Sequence, residues 1–256
     1  MTMIWMTTNF LVEGSFDKRS PAWSGSKSFL IMKSYESLSL NLQQILQLKQ
    51  LVSQGEGSML EFKRKATFPE KIVREMIAFA NTKGGVLLLG VDDNGTLAGL
   101  KYPDEEVHVI NEALKRVRPA LAYQMTAIPI GKSRTIIQYE ISEGIRKPHY
   151  YLNEDNSKES FVRVDDKSIK ASRELREIVK RKQRMKDVRF HYGEHERFLM
   201  QYLDEKQYIT LKEFVSLRRI NKLYASKKLV LLVLANVLNI IPTEKGDLYA
   251  IKNVIR

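Results

Sequence analysis

Residues 68–100, "FPEKIVREMIAFANTKGGVLLLGVDDNGTLAGL", carry the punctuation of a helix, a strand and a tight turn in immediate succession. Pro69 suits a first helical position, and Glu70 follows it in the first turn, where unpaired amides favour a carboxylate. Ile72, Met76, Ile77 and Phe79 recur with helical spacing, and Gly84-Gly85 supplies the stop. "VLLLGV" is then a continuous apolar strand, and Asn94-Gly95 tolerates the positive φ of a hairpin turn.

Upstream, Leu60 and Phe62 alternate with Met59, Glu61 and Lys63 in "SMLEFKRK", the period of a half-buried strand. Glu61 and Lys63 therefore share the face opposite Phe62. Before it, Leu40, Ile45, Leu48 and Leu51 suit an amphipathic helix that Gly55 would end. Residues 1–36 are rich in Ser and Thr without periodicity and read as a poorly ordered extension, with Met32 a candidate natural start.

Downstream, a helix is expected from about Asp104 to Val117, then a hairpin around Gly131. A long polar loop over 143–168 includes one short strand, Phe161 to Val164. From Ala171 the chain reads as a strongly basic helix whose apolar face is little more than Leu175, Ile178 and Val179, as a connector would be. Residues 193–256 then offer three helices and a hairpin turning at Lys245-Gly246-Asp247, the order of a winged helix-turn-helix. The expected organisation is an extension (1–36), a mixed domain (37–180), a basic connector (181–192) and a winged helix (193–256).

The net charge of +12 is unevenly distributed. Residues 1–166 hold 21 Lys+Arg against 20 Asp+Glu, whereas 167–256 hold 21 against 10. A basic surface of that kind suits a polyanion, because Lys and Arg that neutralise phosphates release counterions. The absence of cysteine excludes disulfides and cysteine-ligated metal centres. The N-terminus lacks the pattern of a secretion signal, and "LVLLVLANVLNII" at 229–241 is too short to span a bilayer, so a cytoplasmic protein with no membrane partner is expected.

Two apparent motifs fail on context. Gly131-Lys132-Ser133 ends like a phosphate-binding loop but sits in a hairpin turn, with Thr126 where the first glycine belongs. His191 to His195 matches H-x-x-E-H, yet Gly193 interrupts the helix that a zinc site needs. Glu56 and Glu61 are five apart, on one face of neither a helix nor a strand, and would converge only if the chain bends near Gly57. Asp92 and Asp93 end the apolar strand. Two glutamates and an aspartate meeting there would make a hard oxygen site for Mg²⁺ or Mn²⁺, with Lys63 or Lys65 holding a phosphate.

"GEGSMLEFKRK" at 55–65, "IAFANTKGGVLLLGVDDNGTLAGL" at 77–100, and "KPHYY" and "FVRV" with Ser168 and Ala171 together resemble the Schlafen AlbA-type domain over about residues 46–180. The resemblance implies an α+β fold and a DNA-binding association, and a C-terminal winged helix is a common bacterial companion. Vertebrate members include metal-dependent ribonucleases. Their two glutamates and aspartate map onto Glu56, Glu61 and Asp93, with Asp92 the alternative third position. Those enzymes pair two related lobes around RNA, so a single copy implies a homo-oligomer, with a dimer favoured.

The favoured function is a nucleic-acid-binding protein, a transcriptional regulator, with DNA or RNA as partner. The alternative is a Mg²⁺- or Mn²⁺-dependent endoribonuclease using Glu56, Glu61 and Asp93. ATP binding or a protein-interaction role stands third. The candidate nucleic-acid contacts are Lys63, Lys65, Arg163, Arg218, Arg219, Lys222, Lys227, Lys228 and Lys245. The helix "ASKKLVLLVLANVL" is apolar nearly all round, so contacts to phosphates rather than bases are expected.

Overall fold

The computed structural model describes residues 41–183 and 191–252, so the expectations for the N-terminal extension and for Met32 lie outside the described residues. Helix α1 runs through 41–52, followed by β1 (Leu60–Lys63), α2 (Pro69–Asn81) and β2 (Gly85–Leu89). The β1-α2-β2 crossover places β1 parallel to β2, while β5 (Thr135–Ile141) and β4 (Tyr123–Pro129) continue the sheet antiparallel in the order β1-β2-β5-β4. This mixed sheet makes the segment α+β.

Side-chain alternation divides β2 between two cores. Leu87 and Leu89 pack with Ile77, Phe79 and Tyr139 on the α2 side, whereas Leu88 packs with Leu48, Leu60, Phe62 and Ile136 on the α1 side. Covering both faces explains why the strand reads as an unbroken apolar run. The glycine pair is required sterically. Gly84 has φ +79° and a Cβ there would lie 2.6 Å from the Ile141 carbonyl oxygen, while one on Gly85 would meet the Phe79 ring at 2.4 Å.

Three expectations change. Strand β1 is not half-buried: Glu61 is only 6% exposed, because β8 (Phe161–Val164) supplies Arg163 over the face opposite Phe62. Helix α3 (Pro103–Leu114) stops before Val117, which belongs to the short strand β3 (Val117–Arg118). The long polar loop also contains β6 (Tyr150–Leu152), β7 (Lys158–Glu159) and β9 (Lys167–Lys170). The buried Asn81 side chain organises it. Its amide nitrogen donates to the His149 and Phe161 carbonyls at 3.1 and 2.9 Å and to the Ser160 hydroxyl at 3.0 Å, and its oxygen accepts from the His149 amide at 2.7 Å. Those bonds tie the loop to the end of α2, a tertiary cause that local pattern does not carry.

The basic helix α4 (Arg173–Lys182) is more than a connector. Its N-cap Ser172 accepts from the Leu175 amide, and Leu175 and Ile178 are buried in separate clusters. Ile178 joins the core of the C-terminal segment, with Leu199, Phe214, Leu229 and Tyr249. That segment comprises α5 (Glu194–Lys206), β10 (Ile209–Thr210), α6 (Leu211–Arg218), α7 (Lys222–Leu234), β11 (Leu238–Ile241) and β12 (Leu248–Ile251). The expected terminal hairpin is β11–β12, and β10, which the sequence does not announce, adds a third antiparallel strand in the order β10-β12-β11. Among the described residues no helix is long and apolar enough to cross a membrane.

Candidate functional site

Glu61 on β1, Glu75 on α2 and Arg163 on β8 meet, with Glu61 and Arg163 buried and Glu75 half-buried. Arg163 Nη2 donates to Glu61 Oε2 at 2.6 Å and Nη1 to Glu75 Oε2 at 2.8 Å, while Nε and Nη2 both reach the Gly57 carbonyl, at 3.1 and 2.9 Å. The guanidinium also stands over the Phe79 ring, 5.0 Å from its centroid. A second cation, Lys63, pairs with Glu61 and donates to the Phe62 carbonyl. Ser168 donates to Glu75. Burial pushes the Glu75 carboxyl above its ordinary range, against the opposing pull of Ser168 and Arg163. The planar fork of arginine suits this role, since it binds two carboxylates and a carbonyl at once.

This placement corrects one sequence expectation. Arg163 is 5% exposed and its donors are used inside the domain, so it holds β1, α2 and β8 together instead of contacting a nucleic acid. Glu75 was missed, although its position three after Ile72 and four before Phe79 puts a charge on the apolar stripe of α2.

The other two carboxylates make different contacts. Glu56 is exposed, and its Oε1 accepts from the Phe62 amide at 2.8 Å, which anchors the bend at Gly57. Asp93 is exposed and lines a cleft of about 470 Å³ with Lys49, Gly55, Phe62 and Asn94. Asp92 pairs with Arg64 at 3.2 Å. Among the described residues no three His, Cys, Asp or Glu side chains form a group that could hold a metal ion. Glu61 already has Arg163 and Lys63 as counter-ions, so the arrangement does not fit a divalent cation.

The C-terminal cations fall into two groups. Lys228 pairs at 2.5 Å with Glu196, which is 1% exposed. Burial opposes the charge on Glu196, but Lys228 and the Gly193 amide outweigh it and hold the carboxyl below its ordinary range; burial likewise opposes the Lys228 ammonium, and Glu196 keeps it above its own. Arg218 pairs with Glu194, donates to His195 Nδ1 at 3.2 Å and lies 5.0 Å from the Phe198 ring centroid. Arg218 and Lys228 are therefore bound within the fold rather than presented to a partner. Arg219, Lys222, Lys227 and Lys245 are exposed, as are Lys65 in the first segment and Lys212, which the sequence reading did not single out. His191 precedes α5, and the ring of His195 is held by Arg218, so the H-x-x-E-H spacing does not make a metal-binding pair on one helix.

Residues 56–172 match the family described as Schlafen, AlbA_2, and this segment is a Schlafen AlbA_2-type domain. A crystal structure of the DIP2311 protein from Corynebacterium diphtheriae is similar over 84% of the chain, at 13% sequence identity and a TM-score of 0.40. The chain covers 39% of that protein. No curated protein matches the sequence.

Proposed function

We propose that this protein binds nucleic acid, as a transcriptional regulator, through a basic winged helix appended to its Schlafen AlbA_2-type domain. The supporting observation is a group of exposed cations with no ion-pair partner among the described residues: Lys212, Arg219, Lys222, Lys227 and Lys245, on α6, the α6–α7 turn, α7 and the β11–β12 turn. Three helices and a three-stranded antiparallel sheet in the order helix, strand, helix, helix, strand, strand support the winged-helix reading. The exposed face of α7 carries Leu223, Tyr224 and Lys227, with no Asn, Gln or Arg to read base edges. Binding is thus dominated by phosphates, salt-sensitive and weakly selective in sequence.

The test is fluorescence anisotropy with labelled duplex DNA and transfer RNA, each with Mn²⁺ and with chelator. Saturable binding without cleavage supports the proposal. Cleavage that needs Mn²⁺ and is lost in Glu61→Ala would replace it with the endoribonuclease reading, and no binding at low salt would end both. Light scattering at micromolar concentration tests the dimer separately.

A further inference from the structure

A second cleft, of about 470 Å³, opens where α4, α6, α7 and the β11–β12 turn meet. Its size is in the range of small-ligand sites, roughly 300–1,000 Å³. Three lysines from three different elements line it: Lys212 of α6, Lys222 of α7 and Lys245 of the turn. None of the three has an ion-pair partner among the described residues, unlike Lys228 and Arg218 close by in sequence.

Two carboxylates line the same cleft. Asp247 accepts from the Ser172 hydroxyl and Glu174 from Ser226 at 2.6 Å, and each retains lone pairs for further donors. The cations and carboxylates of the cleft are not neutralised by one another, since no lysine in it pairs with either acid. Tyr249 also lines the cleft and is 1% exposed, yet its hydroxyl has no hydrogen-bond partner among the described residues. Burial pushes its phenol far above the ordinary range, so the hydroxyl keeps its proton as a donor. An unpartnered buried hydroxyl is unfavourable, and a ligand acceptor would relieve that cost.

We propose that this cleft binds a small phosphorylated polyol, of the sugar-phosphate class. Its phosphate sits among Lys212, Lys222 and Lys245, its hydroxyls donate to Glu174 and Asp247, and Tyr249 donates to one of its oxygens. A neutral sugar lacks the anionic head, and inorganic phosphate lacks the donors that the carboxylates accept. Lys212, Lys222 and Lys245 all belong also to the proposed nucleic-acid surface, so ligand and nucleic acid compete for them. The ligand site itself does not depend on the nucleic-acid reading.

Titration calorimetry of the full chain with ribose 5-phosphate, inorganic phosphate and ribose tests this. Ribose 5-phosphate should bind saturably at one site, inorganic phosphate about tenfold or more weaker, and ribose not measurably, as expected when charge-assisted bonds dominate. The combined change Lys212→Gln, Lys222→Gln and Lys245→Gln should abolish binding while leaving the thermal midpoint unchanged. Tyr249→Phe, which removes only the unpartnered hydroxyl, should weaken ribose 5-phosphate and leave inorganic phosphate unaffected. No saturable binding of ribose 5-phosphate, equal affinity for inorganic phosphate, or binding that survives the triple lysine change would each overturn the proposal. Anisotropy with labelled duplex DNA reads the nucleic-acid surface independently, so either conclusion can fail alone.

Discussion

The Schlafen AlbA_2-type domain and the C-terminal helical segment use charge in opposite ways. In the domain, Arg163 and Lys63 are drawn toward Glu61 and Glu75, so the cations nearest the candidate site are internal fasteners between β1, α2 and β8. In the C-terminal segment one buried pair, Lys228–Glu196, fastens α7 to α5, while Lys212, Arg219, Lys222, Lys227 and Lys245 remain exposed. A charged residue near a candidate site is therefore informative only after its partners are counted. Buried pairs respond to mutation through stability, and exposed cations respond through binding.

The largest effect expected from that contrast is Arg163→Ala. It leaves Glu61 and Glu75 without their shared counter-ion inside the domain, at a cost of about 3–5 kcal/mol in a denaturant titration. A loss below about 1 kcal/mol would break the contrast, since it would make Arg163 dispensable for the fold. Lys228→Ala should cost somewhat less, about 3 kcal/mol, because Glu196 keeps the Gly193 amide as a donor. Replacing Lys222, Lys227 and Lys245 by Gln should do the reverse: a change in stability within about 0.5 kcal/mol, and a loss of roughly tenfold in nucleic-acid affinity at moderate salt.

The smallest effect is in pH dependence, where the half-buried Glu75 and the buried Glu196 should differ in sign. Glu75 has a folded pKa above its unfolded value, so between the two the folded state holds more protons, and its contribution to stability declines as pH rises through that window. Glu196 has a folded pKa below its unfolded value, so its contribution is present above the unfolded pKa and is lost as pH falls through the folded one. Unfolding free energies of wild type, Glu75→Gln and Glu196→Gln across acid to neutral pH should show each variant losing its own slope. Identical slopes in all three proteins would show that neither carboxyl is perturbed.

Much of the first domain was legible because its elements are punctuated locally. Pro69, the glycine pair and the apolar run at 86–89 each impose a conformation on their own residues, and the structure follows them. The strands at 150–152, 158–159 and 167–170 were not legible, since they depend on Asn81 and α2, distant in sequence. The basic run after Ala171 reads as a connector because its apolar face is so short, yet Leu175 and Ile178 of that face are buried in two separate clusters, and two apolar positions suffice when two clusters share one short helix. At the candidate site, spacing showed that Glu61 lies opposite Phe62 but not what covers it. The cover is Arg163, a residue 102 positions away. Partners at such separation leave no local pattern, and for that reason Arg163, Arg218 and Lys228 read as surface cations.

The salt dependence of nucleic-acid binding separates exposed from internal charge most directly. Duplex DNA affinity would be measured from low to moderate salt for wild type, for the Lys222, Lys227 and Lys245 glutamine variant, and for Lys228→Met. With the exposed lysines neutralising phosphates, the log–log slope should become shallower by up to about 0.9 for each exposed lysine removed and stay at the wild-type value in the folded Lys228→Met protein. A slope unchanged by the triple variant, or reduced as much by Lys228→Met, would contradict the division between charges that hold the fold and charges that meet the partner.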